Sequence, residues 1–304
     1  MTNDQQSLSP RGDRGDLRSR RLLALDTSTA CLSLAWFENG ELKAETELIG
    51  ERNHSVMAVP ALKSLAESAG SKLEHVGAVA VGQGPGSYTG VRIGVTVAKT
   101  LAWTLQVPLI GVSSLKALAL SAWQQCAGIA HGGARGDHAP GRTRCLIVPF
   151  MDARRGQAYT AIYAAEHAPA SEAKGASNHA AVEPVRLTAL QEDGVMLVDR
   201  LLDKLRELGQ NREVDRIVFT GDTGAFGQQL DAFAAGASQE EGPRMEILPL
   251  AMKASAIGTL AIAEGTLLEG DAVHSFAPNY TQLAEAEVKL LARRAAEAAE
   301  AKRG

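Results

Sequence analysis

Residues 80–100, AVGQGPGSYTGVRIGVTVAKT, set Gly82, Gly84, Gly86 and Gly90 between an apolar strand and the start of a helix. Glycine lets a backbone approach a phosphate, or another backbone, more closely than a residue with a side chain allows. The Gly-Lys-Ser/Thr ending by which a P-loop grips nucleotide and magnesium is missing. Upstream, Asp26 closes a buried strand and is followed by the hydroxyls of Thr27, Ser28 and Thr29. A carboxylate so placed can hold hydrated magnesium while hydroxyls and amides meet phosphate oxygens. It can equally accept hydrogen bonds within its own turn, and no lysine or second acidic partner lies close in sequence. Asp152-Ala153-Arg154-Arg155 follows another apolar strand, its arginines suited to clamp phosphate or to pair across a domain seam. Asp26, Thr27, Ser28, Gly82, Gly84, Asp152, Gly221 and Asp222 together outline a vestigial nucleotide cleft.

Other chemistry finds less support. A zinc-binding pair of histidines at i and i+4 would need a partner for His54 at position 58, which is Ala58. His75, His131 and His138 are isolated, so no metal site is expected. Cys31, Cys126 and Cys145 are too few and too scattered for a disulfide framework or a zinc knuckle. A net charge of −4 over 304 residues argues against autonomous nucleic-acid binding through a broad basic face. No apolar run reaches membrane-spanning length and no signal-peptide core is visible, which makes a cytoplasmic protein without membrane contact the expectation.

The elements that must position these residues alternate. Residues 1–20 are polar and read as a disordered leader. From Arg21, LLALDTST, CLSLAWF and ELKAETELI form three strands, with a hairpin turn at Asn39-Gly40. A helix begins near His54 and should kink or split at Pro60. An apolar strand at 76–81 leads to the glycine turn and a long helix. After a short strand, Ser113 or Ser114 caps an alanine-rich helix ending near Gln125. Residues 127–143 and 167–181 are polar surface insertions. RCLIVPFMDARRGQAYTAIYAA between them repeats the opening pattern, and the strand entering Gly221 repeats the strand entering Gly82. Asp26 then corresponds to Asp152, an internal duplication in pattern more than in identity. Helices over about 254–268 and 281–302 close the chain.

The helix after Ser87 carries Gly90, Gly94, Ala98 and Ala102 at four-residue spacing, a face almost without side chains. With Ile93, Val97, Leu101 and Leu105 as the stripe facing the sheet, this ridge is expected to receive another helix, from within the chain or from a partner.

LLALDTSTACLSLAW, RNHSVMAVPALKSL, GQGPGSYTGVRIGVTVAKTLAW, MDARRGQAY and PNYTQLAEAE together resemble the TsaB family, the bacterial companion subunits in making the threonylcarbamoyl modification of tRNA adenosine. The similarity covers most of the chain outside the leader and insertions. It implies an α/β fold of two actin-like (ASKHA, ribonuclease H-like) domains with mixed sheets flanked by helices. The first would span 21–117 and be completed by 252–302; the second would span 118–251. It also implies a non-catalytic scaffold and activator of the related subunit TsaD, acting with the ATPase subunit TsaE, forming a homodimer in isolation and meeting tRNA only through the complex. The partner surface carried over by position is His54, Met57, Thr89, Gly90, Gly94, Val97, Ala98, Leu101 and Ala102. No cofactor is expected to bind tightly, with ATP or ADP held at an interface of the complex. An actin-like ATPase is the rival reading, and a peptidase finds no triad or metal cluster. One departure stands out: Thr281-Gln282 replaces the family's usual Leu-Arg after Pro278-Asn279-Tyr280.

Overall fold

The computed structural model describes residues 15–49, 54–130, 144–167, 185–209, 214–236 and 242–281. Most of the leader, the greater part of both insertions and the closing helix expected over 281–302 lie outside the described residues; the end of the leader, expected to be disordered, forms a short helix α1 (Gly15–Ser19) because Leu17 is buried in the core.

The first strands follow the alternation of the sequence. β1 (Arg21–Asp26), β2 (Cys31–Glu38) and β3 (Glu41–Ile49) form an antiparallel meander. Its second turn is made by Asn39 and Gly40, at φ 53° and 77°, the left-handed pair that matches strand twist. α2 (His54–Ser68) continues through Pro60 as one helix rather than splitting there. Pro60 is exposed, as is Val56 one turn earlier, so the carbonyl that loses its helical donor can meet water. β4 (Ala78–Gly82), α3 (Tyr88–Leu105) and β5 (Leu109–Val112) complete a sheet of order β3-β2-β1-β4-β5, with β1, β4 and β5 parallel.

α4 (Ser114–Ala130) then crosses to the second half, extending past the expected end near Gln125. There β6 (Arg144–Asp152), β7 (Gln157–His167) and β8 (Val185–Leu197) repeat the antiparallel meander. α5 (Val198–Gly209), β9 (Val214–Gly221), α6 (Gly227–Gly236) and β10 (Arg244–Leu248) follow. The second sheet has the order β10-β9-β6-β7-β8, with β6, β9 and β10 parallel. It matches the first strand for strand and direction for direction. Asp26 and Asp152 end β1 and β6, while Gly82 and Gly221 end β4 and β9, as the duplicated pattern predicts.

Alternate residues of each strand serve opposite faces of its sheet. Leu23, Leu25, Leu34, Trp36, Val79 and Val81 pack against α2 and α3 on the outer face of the first sheet. Leu146, Val148, Phe150, Ile217 and Phe219 pack against α5 and α6 outside the second. The inner faces meet a shared core built on α4 and on α7 (Ala254–Glu264), which returns to cover β1 and β2. The boundary expected at 117/118 falls inside α4, because that helix is wedged between the sheets and feeds one core with both. Close approach of α7 is secured by Gly258, where a Cβ would lie 2.2 Å from the ring of Phe37. A short α8 (Asp271–Ser275) leads the chain back across α3. Among the described residues, no helix is long and apolar enough to cross a membrane.

Candidate functional site

Asp26 is fully buried, and both of its carboxylate oxygens are engaged by the chain itself. Oδ1 accepts from the Ser28 amide at 2.7 Å and the Ser28 hydroxyl at 2.6 Å, and Oδ2 accepts from Ser114 Oγ at 2.6 Å. Ser114 Oγ also accepts from the Gly84 amide at 3.2 Å. One carboxylate thus ties the β1 turn, the glycine loop and the first turn of α4. Burial raises its pKa, outweighing the three hydrogen bonds that favour the charged form.

The glycines are used on this same turn. A Cβ at Gly82 would lie 1.8 Å from Asp26 Oδ2, and one at Gly86 2.5 Å from the Ser28 carbonyl. Ser87 N donates to that carbonyl at 2.7 Å, and Thr27 Oγ1 donates to the Gly90 carbonyl at 2.7 Å. The loop therefore makes a backbone-to-backbone lock rather than a cradle open to a phosphate.

Beside the lock, a cleft of about 950 Å³ opens between the two sheets at the ends of β1 and β6. Of the eight residues expected to outline it, Ser28, Asp152 and Asp222 reach the lining. Asp26, Thr27, Gly82, Gly84 and Gly221 lie beneath it, and Gly221 sits so tight that a Cβ would be 2.3 Å from the Phe150 carbonyl. Ser87, Tyr88, Thr89, Gly90 and Ile93 form the wall opposite Met151, Asp152, Arg154 and Tyr159. Asp222 accepts from the Asp152 amide at 3.3 Å, and its carboxyl is pushed up by desolvation and by the neighbouring Asp152 charge.

The small-residue ridge of α3 requires a correction. Gly90, Gly94, Ala98 and Ala102 are all buried within the chain's own fold. A Cβ at Gly90 would stand 2.1 Å from the Thr27 carbonyl, and one at Gly94 2.3 Å from Thr27 Oγ1. Val91 and Val95 join them as the sheet-facing stripe, while Ile93, Val97, Leu101 and Leu105 are only half-buried. The stripe assigned to the sheet and the ridge offered to a partner exchange places, because the β1 turn comes so close that only glycine fits beneath the start of α3. Met57 and Thr89 are exposed, and His54 begins α2 with a side chain outside the described residues.

Two further arrangements escape sequence reading. Ser113 caps α4, accepting from the Lys116 amide at 3.0 Å, and donates to Asp193 Oδ2 at 2.6 Å, while Tyr163 OH donates to Asp193 Oδ1 at 2.7 Å. This joins the α4 entrance to β7 and β8. Burial of Asp193 raises its pKa, and burial beside that carboxylate raises the Tyr163 phenol too. Asp193→Ala, which removes the acceptor of the buried Tyr163 hydroxyl and of the half-buried Ser113 hydroxyl, is expected to cost about 1–3 kcal/mol in denaturant unfolding. Lys99 Nζ donates to the carbonyls of His274 and Phe276 at 2.7 and 2.8 Å, and the Asn279 amide to the Gln83 carbonyl at 2.7 Å. The strap so held ends at Tyr280, whose ring lies 5.5 Å from that of Tyr88. The Pro278-Asn279-Tyr280 run was the one sequence signal for it.

A five-stranded mixed sheet of order 3-2-1-4-5, present twice and enclosing a cleft where the first strands end, defines an actin-like α/β protein of two domains. A family model described as TsaD, tRNA N6-adenosine threonylcarbamoyltransferase, matches residues 48–299. The tRNA threonylcarbamoyladenosine biosynthesis protein TsaB of Bacillus subtilis is 33% identical over 268 residues, 88% of this chain and 96% of that one. TsaB of Escherichia coli is 37% identical over 143 residues, 47% of this chain and 54% of that one. A crystal structure from Pseudomonas aeruginosa, described as an uncharacterized protein with similarity to peptidase YEAZ, superposes at TM-score 0.59 with 23% identity, over 86% of this chain and all of that one (100%). The chain belongs to the TsaB (YeaZ-like) family.

Proposed function

We propose that this protein serves formation of N6-threonylcarbamoyladenosine in tRNA as a non-catalytic scaffold and activator of TsaD. The reading rests on family membership together with one surface. On α2, Val56, Met57 and Val59 are 71%, 43% and 54% exposed. The neighbouring α3 adds the half-buried Val97 and Leu101. Apolar side chains gathered on two adjacent helices suit a protein partner, and TsaD is the partner proposed. Homodimerisation of the isolated chain would use the same face, and TsaE and tRNA would join through the complex in the cytoplasm. Hydrolysis of ATP by the chain alone is the less favoured reading, since both oxygens of Asp26 are committed to the turn beneath the cleft.

Reconstitution of tRNA modification with TsaD, TsaE and a supplier of the threonylcarbamoyl donor tests the proposal. Activity is expected to depend on this chain, while the chain alone turns over neither ATP nor tRNA. The surface is tested by Met57→Asp combined with Val56→Asp. Solvent-facing changes of this kind leave stability within about 0.5 kcal/mol, whereas charge buried in an interface is expected to weaken TsaD affinity at least about tenfold. Unchanged affinity in a folded double variant would place the contact elsewhere.

A further inference from the structure

The chain has three tryptophans, four tyrosines and six phenylalanines, and all of them lie among the described residues. Only Tyr88, Trp103 and Tyr280 are exposed, at 52%, 46% and 48%. Single exposed rings are ordinary on a protein surface, but these three share one edge of α3. Tyr88, Arg92, Lys99 and Trp103 follow one another at helical spacing, which sets them in a line about 22 Å long. Each end of the line is a pair of rings. At the start of α3, Tyr280 lies 5.5 Å from Tyr88, with the ring planes 35° apart. At its end, His274 of α8 lies 4.0 Å from Trp103, with the planes 54° apart.

Between the pairs stand two cations. Arg92 Cζ is 5.3 Å from the centre of the Tyr88 ring, and Arg92 Nη1 donates to the Tyr88 hydroxyl at 2.8 Å. Lys99, pinned by the His274 and Phe276 carbonyls, adds its charge further along. No carboxylate of α3 offsets them, since that helix has no Asp or Glu, and Asp271 in the first turn is the acidic residue of α8. A chain of net charge −4 thus keeps a cationic edge. Val97 and Leu101 lie across the helix axis from this line, so the aliphatic face shared with α2 is a different surface. Planar rings stack on any nucleic-acid base, and cations set between them meet the phosphates that link the bases. A protein hot spot also favours Tyr, Trp and Arg, but it buries them at an apolar centre. Here the charges hold the middle and the rings the ends, the order that suits a chain of bases on a charged backbone. We propose that this edge of α3 is a stacking platform for a single-stranded segment of RNA. The choice of RNA rests on the proposed role in tRNA modification, and the platform adds a direct contact to those the complex supplies.

Fluorescence anisotropy of a labelled oligoadenylate of about 12 nucleotides, titrated with the full chain at low ionic strength, tests this. Saturable binding is expected. Quenching of tryptophan emission by the unlabelled oligoadenylate is expected with it and reports on Trp103, because Trp36 and Trp123 are buried. Trp103→Ala is expected to weaken binding about 5- to 150-fold, the effect of losing one stacked base, and Trp103→Phe to retain most of the affinity. Arg92→Gln, a solvent-facing change, is expected to reduce the slope of log K against log salt by about 0.7, the share of one phosphate on a single strand. Affinity for TsaD, measured on the same variants, is expected to be unchanged, so failure of the platform and failure of the scaffold reading show separately. No saturable binding, or binding equal to that of the wild type in both Trp103→Ala and Arg92→Gln, would overturn the proposal. So would loss of TsaD affinity in folded variants with RNA binding intact, which would assign the edge to a protein.

Discussion

Asp26→Ala is expected to lower stability by about 2–4 kcal/mol, because the Ser28 amide, the Ser28 hydroxyl and the Ser114 hydroxyl lose their acceptor in a fully buried site. For a chain of this size that corresponds to a fall in melting temperature of about 5–15 °C. Relief from burying a charge offsets part of the loss, and Asp26→Asn separates the two contributions. Asparagine keeps an acceptor for Ser28 and offers its amide to Ser114 Oγ, so it is expected to retain most of the stability. The pH dependence has a definite sign. The folded pKa of Asp26 is raised above 3.8 by burial, so the native state holds this proton more tightly than the unfolded chain does. Stability from protonation is fully present below the unfolded value and is lost as pH rises through the folded one. The wild type is therefore expected to gain on Asp26→Asn as pH falls from neutrality toward 4. Melting both proteins across that range checks it; a difference independent of pH would show that Asp26 does not titrate as its burial requires.

Where side chains alternate or turn residues are diagnostic, the fold was legible in the sequence. LLALD, CLSLAWF and Asn39-Gly40 became β1, β2 and their hairpin because strand period and left-handed turns are local properties. The duplication was legible too, since an apolar strand ending in aspartate recurs at Asp152 and a strand ending in glycine at Gly221. What escaped was the outcome of long-range approach. Nothing local says that Ser114, in another helix, reaches Asp26, or that the Asn279 amide closes on Gln83. Composition likewise shows that a glycine face allows close contact without saying which backbone takes it. The cleft shows the same division: Asp152 and Asp222 were readable from strand ends, but whether Asp26 faced the cavity or the turn depended on where the glycine loop fell.

That ambiguity is decided most sharply at Gly90, where alanine is expected to destabilise by about 3 kcal/mol. Helix propensity alone favours alanine over glycine by about 1 kcal/mol in a helix interior, so the predicted change runs against the intrinsic preference. The obstacle is the Thr27 carbonyl, 2.1 Å from the position a Cβ would take, and a backbone held by the Thr27–Gly90 and Ser28–Ser87 bonds has no room to yield. At Gly94 the nearest atom is Thr27 Oγ1 at 2.3 Å, a hydroxyl that can swing aside at the expense of its bond to Gly90. Gly94→Ala is accordingly expected to cost less than Gly90→Ala. Ala98→Leu, overfilling a fully buried position on the same face, is expected to cost about 1–3 kcal/mol. Thermal melting and TsaD affinity measured on each purified variant read both properties at once. The packing predicts lowered melting temperatures in that order of Gly90 above Gly94, with affinity per folded molecule unchanged for all three. A variant that melts like the wild type yet loses TsaD would return the ridge to the partner surface and overturn the lock beneath α3.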